Sequence, residues 1–208
     1  LDAFVAENVH RCEAYLRTIG KTLAGVASSH MVIKGKPEEV VIEKAGRYSD
    51  TLIAMATHGR SGVDRWLLGS VAEKVLRVTT NPLLLVRATT DGKSEGEKVF
   101  KRVIVPLDGS ALAEKVLSHV TALAKGLTFE TVLLRAYNLR QVISSFEDYV
   151  PDWDLLEAEA MGEAMSYLNS KVQGLQGQGL VDVSPRASEK ETAQEIIDLA
   201  AEPDSLIA

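Results

Sequence analysis

Residues 55–87, MATHGRSGVDRWLLGSVAEKVLRVTTNPLLLVR, determine the fold class that the sequence predicts. An apolar strand ends at Met55, and the glycines that follow, beginning with Gly59, let the backbone turn sharply because glycine carries no side chain. Ser70 then begins a helix, and its spacing from Glu73 fits a capping box. A glycine loop between the end of a strand and the start of a helix is a natural phosphate site, because free backbone N–H groups point towards the ligand.

The spacing of these glycines leaves two interpretations open. They either form a phosphate-binding loop or only make a tight turn, and spacing alone does not separate the two. Arg60 and Arg65 could add positive charge to such a loop without being required for it.

Before residue 87, the hydrophobic pattern alternates between helical and strand periods. An amphipathic helix is predicted over 1–24, where Cys12 lies on the apolar stripe and is expected in the core. The other predicted elements are a strand over 30–34, a helix opened by Gly35 and Pro37, a strand over 50–55, a helix from about Ser70 to Val78 and a strand over 83–86.

The stretch 88–99, ATTDGKSEGEKV, is polar and lacks periodicity, so it is predicted to link two domains. The alternation of strands and helices then begins again, with Ser110 as a predicted helix N-cap. The predicted elements are strands over 102–106, 132–134, 181–184 and 205–208, a helix after Ser110, a long helix carrying Met161 to Leu175 that the run GLQGQG (174–179) breaks, and a helix over 191–201.

Two short motifs recur at nearly the same interval. The pair YL at 15–16 returns at 167–168, and the pattern DxLIA at 50–54 returns at 204–208. The order of elements between them is also the same, which indicates a repeated unit of about one domain. Merging the copies predicts an α/β fold with a doubly wound, five-stranded parallel sheet, arranged as a tandem repeat.

Each copy is expected to lack part of this unit. The first, over 1–87, lacks its opening strand, helix and strand, and the second, over 100–208, lacks its closing glycine loop, helix and strand. Because the first residue is not Met, we expect a longer natural protein. A swap in which one copy completes the other's sheet is the alternative.

The composition excludes several classes of protein. The 208 residues are 46% hydrophobic and 25% charged, which is ordinary for a globular chain. A net charge of −6 argues against a general nucleic-acid binder, which needs a basic face. A single cysteine excludes an intrachain disulfide and a cysteine-based metal cluster and indicates a reducing compartment. No apolar run reaches the ~18 residues of a transmembrane helix.

The segment from Ala56 to Ser70 closely resembles the nucleotide-binding loop of the universal stress protein family, G-x2-G-x9-G-[S/T]. The matching positions are Ala56, Gly59, Gly69 and Ser70, and Ala56 stands in place of the first glycine. The runs HGRSG and LLGSVAEKVL extend the match, and a weaker similarity covers most of both copies.

This resemblance implies a site for an adenine nucleotide. Asp108 would accept hydrogen bonds from the ribose hydroxyls, and Ala136 would lie beside the adenine. The alternative for Asp108 is an ordinary turn aspartate. Backbone amides and one hydroxyl around Ser70 would bind the phosphates. The implied binding residues are Met55, Ala56, His58, Gly59, Gly69, Ser70, Val71, Pro106, Asp108 and Ala136.

The function that the resemblance implies is that of a cytoplasmic stress-response protein that binds ATP, with or without Mg²⁺, as a sensor or switch. It implies self-association, as a homodimer or a tandem pseudo-dimer, and neither a nucleic-acid nor a membrane partner. At most weak ATP hydrolysis is expected. One alternative is a nucleotide-free dimerisation or scaffold module, which the methyl group of Ala56 favours. The other is an α/β enzyme that acts on adenine nucleotides.

Other motifs carry weaker signals. His58, Ser61 and Asp64 resemble a hydrolase triad but lie too close in sequence for the required geometry. The P-loop pattern G-x-x-x-x-G-K-[S/T] is absent, which argues against a conventional ATPase. The aromatic loop over 144–153 is expected to pack over a sheet edge or against a partner. We identify no catalytic residue and no metal-ligand set from the sequence.

Overall fold

Parallel strands alternate with helices in the computed structural model, which describes residues 2–23, 25–57, 68–86, 100–137, 152–201 and 205–208. The predicted α/β class with parallel sheets is confirmed. The chain divides into two compact units, Leu1–Gly92 and Lys93–Ala208, which are called unit 1 and unit 2 below. None of the described helices is both long enough and apolar enough to cross a membrane.

Unit 1 contains a pair of parallel strands and three helices among its described residues. Its elements are α1 (Asp2–Thr22), α2 (Pro37–Ala45), β1 (Ile53–Ala56), α3 (Ser70–Val78) and β2 (Leu83–Val86). In the parallel pair, Ile53 lies opposite Leu83 and Ala56 opposite Val86.

The core of unit 1 lies between this strand pair and the helices α2 and α3. Its buried side chains are Ala45, Ile53 and Val75, and Val41, Ile42, Met55, Val71 and Leu83 pack against them half-buried. Asn81, which precedes β2, also joins these elements. Its side-chain amide nitrogen lies 3.3 Å from each of the carbonyl oxygens of Ala45, Tyr48 and Thr51. The segment after α2 is therefore held against the start of β2.

Unit 2 contains four parallel strands among its described residues. Its elements are β3 (Arg102–Pro106), a 3-10 turn (Ala113–Lys115), α4 (Val116–Ala124), β4 (Glu130–Ala136), α5 (Trp153–Gly177), β5 (Val183–Ser188), α6 (Thr192–Ala200) and β6 (Ser205–Ile207). The strands lie in the order β5-β4-β3-β6, so the chain starts in the middle of the sheet, winds out to β5 and returns to place β6 on the other side of β3.

Helices cover both faces of the unit 2 sheet, as a doubly wound fold requires. On one face, Val105 and Leu133 of the strands pack with Val120 of α4 and Leu168 of α5. On the other face, a smaller cluster joins the sheet to α6 through Ile104, Leu134 and Leu199. Successive strand residues thus point to opposite helical layers, and the change in winding direction occurs at β3.

Two expectations for unit 1 are wrong. Residues 30–34 form no strand, and Met31 and Ile33 are exposed. A strand needs a neighbour to satisfy its backbone groups, and β1 and β2 are the two strands of unit 1 within the described residues, paired with each other. Cys12 is exposed rather than in a core, because its side of α1 has no sheet to pack against within the described part of unit 1.

Two predicted helix ends also differ from the structure. The N-cap of α3 is Gly69 and no side chain caps it, so the capping box of Ser70 and Glu73 does not form. Glu73 instead accepts a hydrogen bond from Arg77, four residues later. The run GLQGQG does not break its helix at once, since α5 continues through Gly174 and ends at Gly177.

Candidate functional site

The start of α3 lies against the carboxyl ends of the two strands of unit 1. The amide of Gly69 donates to the carbonyl oxygen of Thr57 at 2.7 Å, directly after β1. The amide of Thr57 in turn donates to the carbonyl oxygen of Val86, at the end of β2, at 3.0 Å. Two backbone hydrogen bonds therefore hold the helix N-terminus at the edge of the sheet where α/β folds bind ligands.

The first turn of α3 offers backbone donors at this edge. The first helical bond runs from the amide of Glu73 to the carbonyl of Gly69, at 2.9 Å, so the amides of Ser70, Val71 and Ala72 have no partner within the helix. The helix dipole adds partial positive charge at this end. The carboxylate of Glu73 would oppose an anion here, but the guanidinium of Arg77 lies 2.8 Å from it and offsets its charge.

The predicted site residues of β1 and α3 occupy different environments. Ser70 is exposed at the first position of α3, so its hydroxyl is available to a ligand. Val71 and Met55 are half-buried, and both side chains pack against the core of unit 1. Ala56 is exposed at the last position of β1. This edge of unit 1 therefore offers backbone groups and the exposed hydroxyl of Ser70.

Several predicted residues lie outside the described part of the chain. These are His58 and Gly59 of the implied site, the arginines of the glycine loop, the three residues of the hydrolase-like triad, the linker over 88–99 and the aromatic loop up to residue 151. Within the described residues, no three His, Cys, Asp or Glu side chains converge on a position for a metal ion.

In unit 2, the structure brings Pro106, Asp108 and Ala136 to one edge of the sheet. Pro106 lies opposite Leu134, and the amide of Leu107 donates to the carbonyl oxygen of Leu134 at 2.8 Å. Asp108 therefore follows the end of β3 close to the level at which β4 ends with Ala136. Because β3 is the strand where the winding direction changes, this edge is the switch point of unit 2.

Asp108 is exposed, and its turn orders one of its two carboxylate oxygens. Oδ1 accepts a hydrogen bond from the amide of Ser110 at 2.8 Å. Hydrogen bonds from Ser110 hold the pKa of the Asp108 carboxyl below its usual value, and the charge of Arg135 adds a smaller effect in the same direction. The carboxylate is therefore ionised at neutral pH, and in this state its oxygens act only as hydrogen-bond acceptors. The hydroxyl of Ser110 accepts from the amide of Ala113 at 3.1 Å. The N-cap residues of the 3-10 turn and of α4 are Leu112 and Lys115, neither with a side-chain cap, so the predicted helix N-cap at Ser110 is wrong.

A cluster of charged and aromatic side chains lies beside Asp108, and the sequence did not predict it. The guanidinium carbon of Arg135 lies 4.7 Å from the ring centre of Tyr167, on α5. The hydroxyl of Tyr167 donates to Glu114 at 3.0 Å, and Lys171 forms an ion pair with Glu114 at 2.7 Å. Burial and the hydrogen bond to Glu114 raise the pKa of Tyr167 to about 12. One signal was visible in the sequence: a charged residue directly follows the apolar run of β4.

The structure thus groups the described candidate residues into two sets. Met55, Ala56 and the residues of the α3 N-terminus belong to unit 1. Pro106, Asp108 and Ala136 belong to unit 2. Each set lies at the carboxyl edge of the sheet of its own unit.

Comparison with known proteins shows that the chain is similar to universal stress proteins. Residues 4–87 match the model of the universal stress protein family. Universal stress protein MJ0531 of Methanocaldococcus jannaschii is 38% identical over 63 residues, which are 30% of this chain and 37% of that protein. Universal stress protein YxiE of Bacillus subtilis is 33% identical over 63 residues, which are 30% of this chain and 43% of that protein. These alignments thus span less than half the length of either relative.

A solved structure matches the fold over nearly the whole chain. The crystal structure of a universal stress protein from Archaeoglobus fulgidus superposes with a TM-score of 0.68 at 20% sequence identity. The match covers 97% of this chain and 66% of that one. At this level of identity, the likeness establishes the arrangement of strands and helices and leaves the ligand to be argued from the residues.

Proposed function

Since the chain is a member of the universal stress protein family through residues 4–87, we propose that it binds an adenine nucleotide, ATP, as a sensor or switch in a cytoplasmic stress response. The nucleotide acts as a signal in this proposal and is at most slowly hydrolysed.

The observation that carries the proposal is the uncapped first turn of α3 at the carboxyl edge of β1 and β2. Three successive amides, from Ser70 to Ala72, precede the first helical hydrogen bond, and the hydroxyl of Ser70 is exposed beside them. Phosphate oxygens accept hydrogen bonds from this arrangement, and the helix dipole favours their negative charge. Glycine at the N-cap supports the proposal, because it places no side chain between these amides and a ligand.

In unit 2, Asp108 would bind the nucleoside part of a ligand. Its second carboxylate oxygen is available to accept from ribose hydroxyls, while Oδ1 is held by the amide of Ser110. Ala136, at the end of the neighbouring strand, has a side chain small enough to leave room for a flat base.

Self-association is part of the same proposal, as a homodimer or a pseudo-dimer of tandem units. Within the described residues, β2 has one unpaired edge, and its Leu83, Leu84 and Leu85 are only half-buried. An unpaired apolar edge strand is a place where a second sheet can add.

A nucleotide-free scaffold of the same fold is the second candidate, and Ala56 favours it. Its methyl group is exposed at the end of β1, where the family pattern has glycine. A methyl group at a point where backbone must approach a ligand would weaken nucleotide binding. Ala56→Gly separates the two candidates: a gain in ATP affinity supports a nucleotide site, and unchanged absence of binding supports the scaffold.

Equilibrium dialysis of the full chain against labelled ATP tests the proposal. Ser70→Asp is the informative variant, because a carboxylate at the first turn suits the helix dipole but repels phosphates. We expect the variant to remain folded and to lose ATP binding by about tenfold or more. Thr80→Asp, which adds the same charge beyond the far end of α3, is the matched control and should bind like the unmodified chain. Absence of ATP retention by the unmodified chain, or equal binding by both variants, would contradict the proposal.

A further inference from the structure

Two contacts hold the side chain of Arg135 at the carboxyl edge of the unit 2 sheet, near Asp108. Its guanidinium lies over the ring of Tyr167 at 4.7 Å, a distance at which a cation is attracted to the face of an aromatic ring. Its other neighbour is the turn at Gly109: a Cβ atom built on that glycine would lie 3.5 Å from the nearest guanidinium nitrogen. These contacts orient the side chain, and within the described residues no hydrogen bond uses its N–H donors.

The charged and polar groups nearest Arg135 are bonded to other residues. Glu114 receives the hydroxyl of Tyr167 and the ammonium of Lys171, and Asp108 is held by the amide of Ser110. Within the described residues, no carboxylate forms an ion pair with Arg135. A half-buried guanidinium without a paired carboxylate, directly beside a proposed ribose acceptor, is electrostatically matched to an added anion.

We propose that Arg135 is the anion-binding and specificity-determining residue of unit 2, which makes its site prefer a phosphorylated nucleoside over the free nucleoside. The inference rests on the proposed nucleotide binding and names the residue that recognises the phosphoryl oxygens in unit 2. Asp108 accepts from the ribose, and Arg135 donates from its planar fork to a phosphate of the same ligand. The ring of Tyr167 keeps that fork in place and so reduces the entropy lost on binding.

Calorimetric titration of the full chain with ATP and, separately, with adenosine tests this assignment. Arg135→Gln should weaken ATP binding at the unit 2 site by about tenfold or more, as expected for the loss of a charge-assisted hydrogen bond, and should leave adenosine binding there within about twofold. Lys125→Gln is the matched control, since it removes an equal charge from an exposed side chain at the C-terminal end of α4. It should change the ATP to adenosine ratio by less than about threefold. Arg135→Lys should fall between the unmodified chain and Arg135→Gln, because it keeps the charge and loses the fork.

The outcomes separate this inference from the proposed function. If the unmodified chain binds ATP and Arg135→Gln binds it equally well, or loses ATP and adenosine in equal measure, the role of Arg135 is wrong while nucleotide binding stands. If the unmodified chain binds neither ligand, both proposals fail. Should Arg135→Gln not fold, Tyr167→Leu provides the second variant. It removes the platform and keeps the charge, and an unchanged ATP to adenosine ratio in that variant would overturn the inference.

Discussion

Gly109 directly follows Asp108, the proposed ribose acceptor, and lies against the guanidinium of Arg135. Its φ of 90° lies in the left-handed region, which residues with a side chain rarely adopt. The position comes directly after Asp108 and lets the chain turn from β3 towards α4 while the guanidinium of Arg135 packs against it. A residue with a side chain at this point would strain the turn that orients Asp108.

Gly109→Ala is therefore expected to lower the free energy of unfolding of unit 2 by about 1–2 kcal/mol. The new Cβ would lie 3.5 Å from Arg135, an ordinary contact distance, so the strain comes from the backbone angle and not from a clash. Denaturant unfolding followed by circular dichroism measures the change. Gly126→Ala is the control, because a Cβ there meets nothing within 4 Å and its φ is not positive. Equal effects of the two substitutions would contradict this explanation.

For individual residues, the sequence predicts which residue types lie at the sheet edges but not which contacts their side chains make. Asp108 follows an apolar strand and precedes glycine, so a turn is visible in the local pattern. The contact between Arg135 and Tyr167 joins residues from β4 and α5, and their spacing in the chain depends on the segment between them. Local periodicity carries no information about such a contact, because it arises only when the helix packs on the sheet.

Among the elements of unit 2, β5 and α6 are joined by a buried carboxylate. Glu195 on α6 is 1% exposed, and two nitrogens of Arg186, on β5, lie 2.9 and 2.8 Å from its Oε1. The ammonium of Lys190 lies 3.1 Å from its Oε2. Burial would raise the pKa of Glu195, but the positive charges of Lys190 and Arg186 outweigh it and the pKa is lowered.

Arg186→Ala should reduce the free energy of unfolding at pH 7 by about 1–2 kcal/mol, because Arg186 is itself half exposed and water screens part of the interaction. A lowered pKa in the folded state stabilises the protein above the unfolded value of 4.5, and this contribution is lost as pH falls below it. The difference between unmodified chain and variant should therefore shrink between pH 5 and pH 3 in denaturant titrations. Arg77→Ala, at an exposed helical pair, should cost less than about 0.5 kcal/mol. A pH-independent difference would contradict the assignment.

The elements also show where local patterns stop being sufficient. The start of α3 at Ser70 and the bounds of β2 agree with the sequence, since both lie between strong breakers and apolar runs. The cap of α3 was predicted wrongly because Glu73 fits two local patterns, a capping box and a pair with Arg77 four residues later. Residues 30–34 have a strand-like pattern without a neighbouring strand to pair with, so pattern alone overestimates them.

At the scale of the whole molecule, the α/β class and the parallel pairing could be predicted because strands and helices alternate over most of the described residues. The sequence could also predict that the residues proposed to bind phosphate and ribose fall at the carboxyl ends of strands, since the position of those residues follows from the order of elements. The pairing of β6 with β3, on the opposite side from β4, agrees with the doubly wound arrangement that the sequence predicts.

In the function proposed for the whole molecule, the amides at the start of α3 bind the phosphates of an adenine nucleotide. Nuclear magnetic resonance of the isotope-labelled full chain during a titration with ATP observes these amides directly. We predict saturable shifts of the Ser70, Val71 and Ala72 amide signals, with much smaller shifts of the same signals when adenosine replaces ATP. ATP binding that leaves these three signals unmoved, or no shift anywhere at millimolar ATP, would contradict the account.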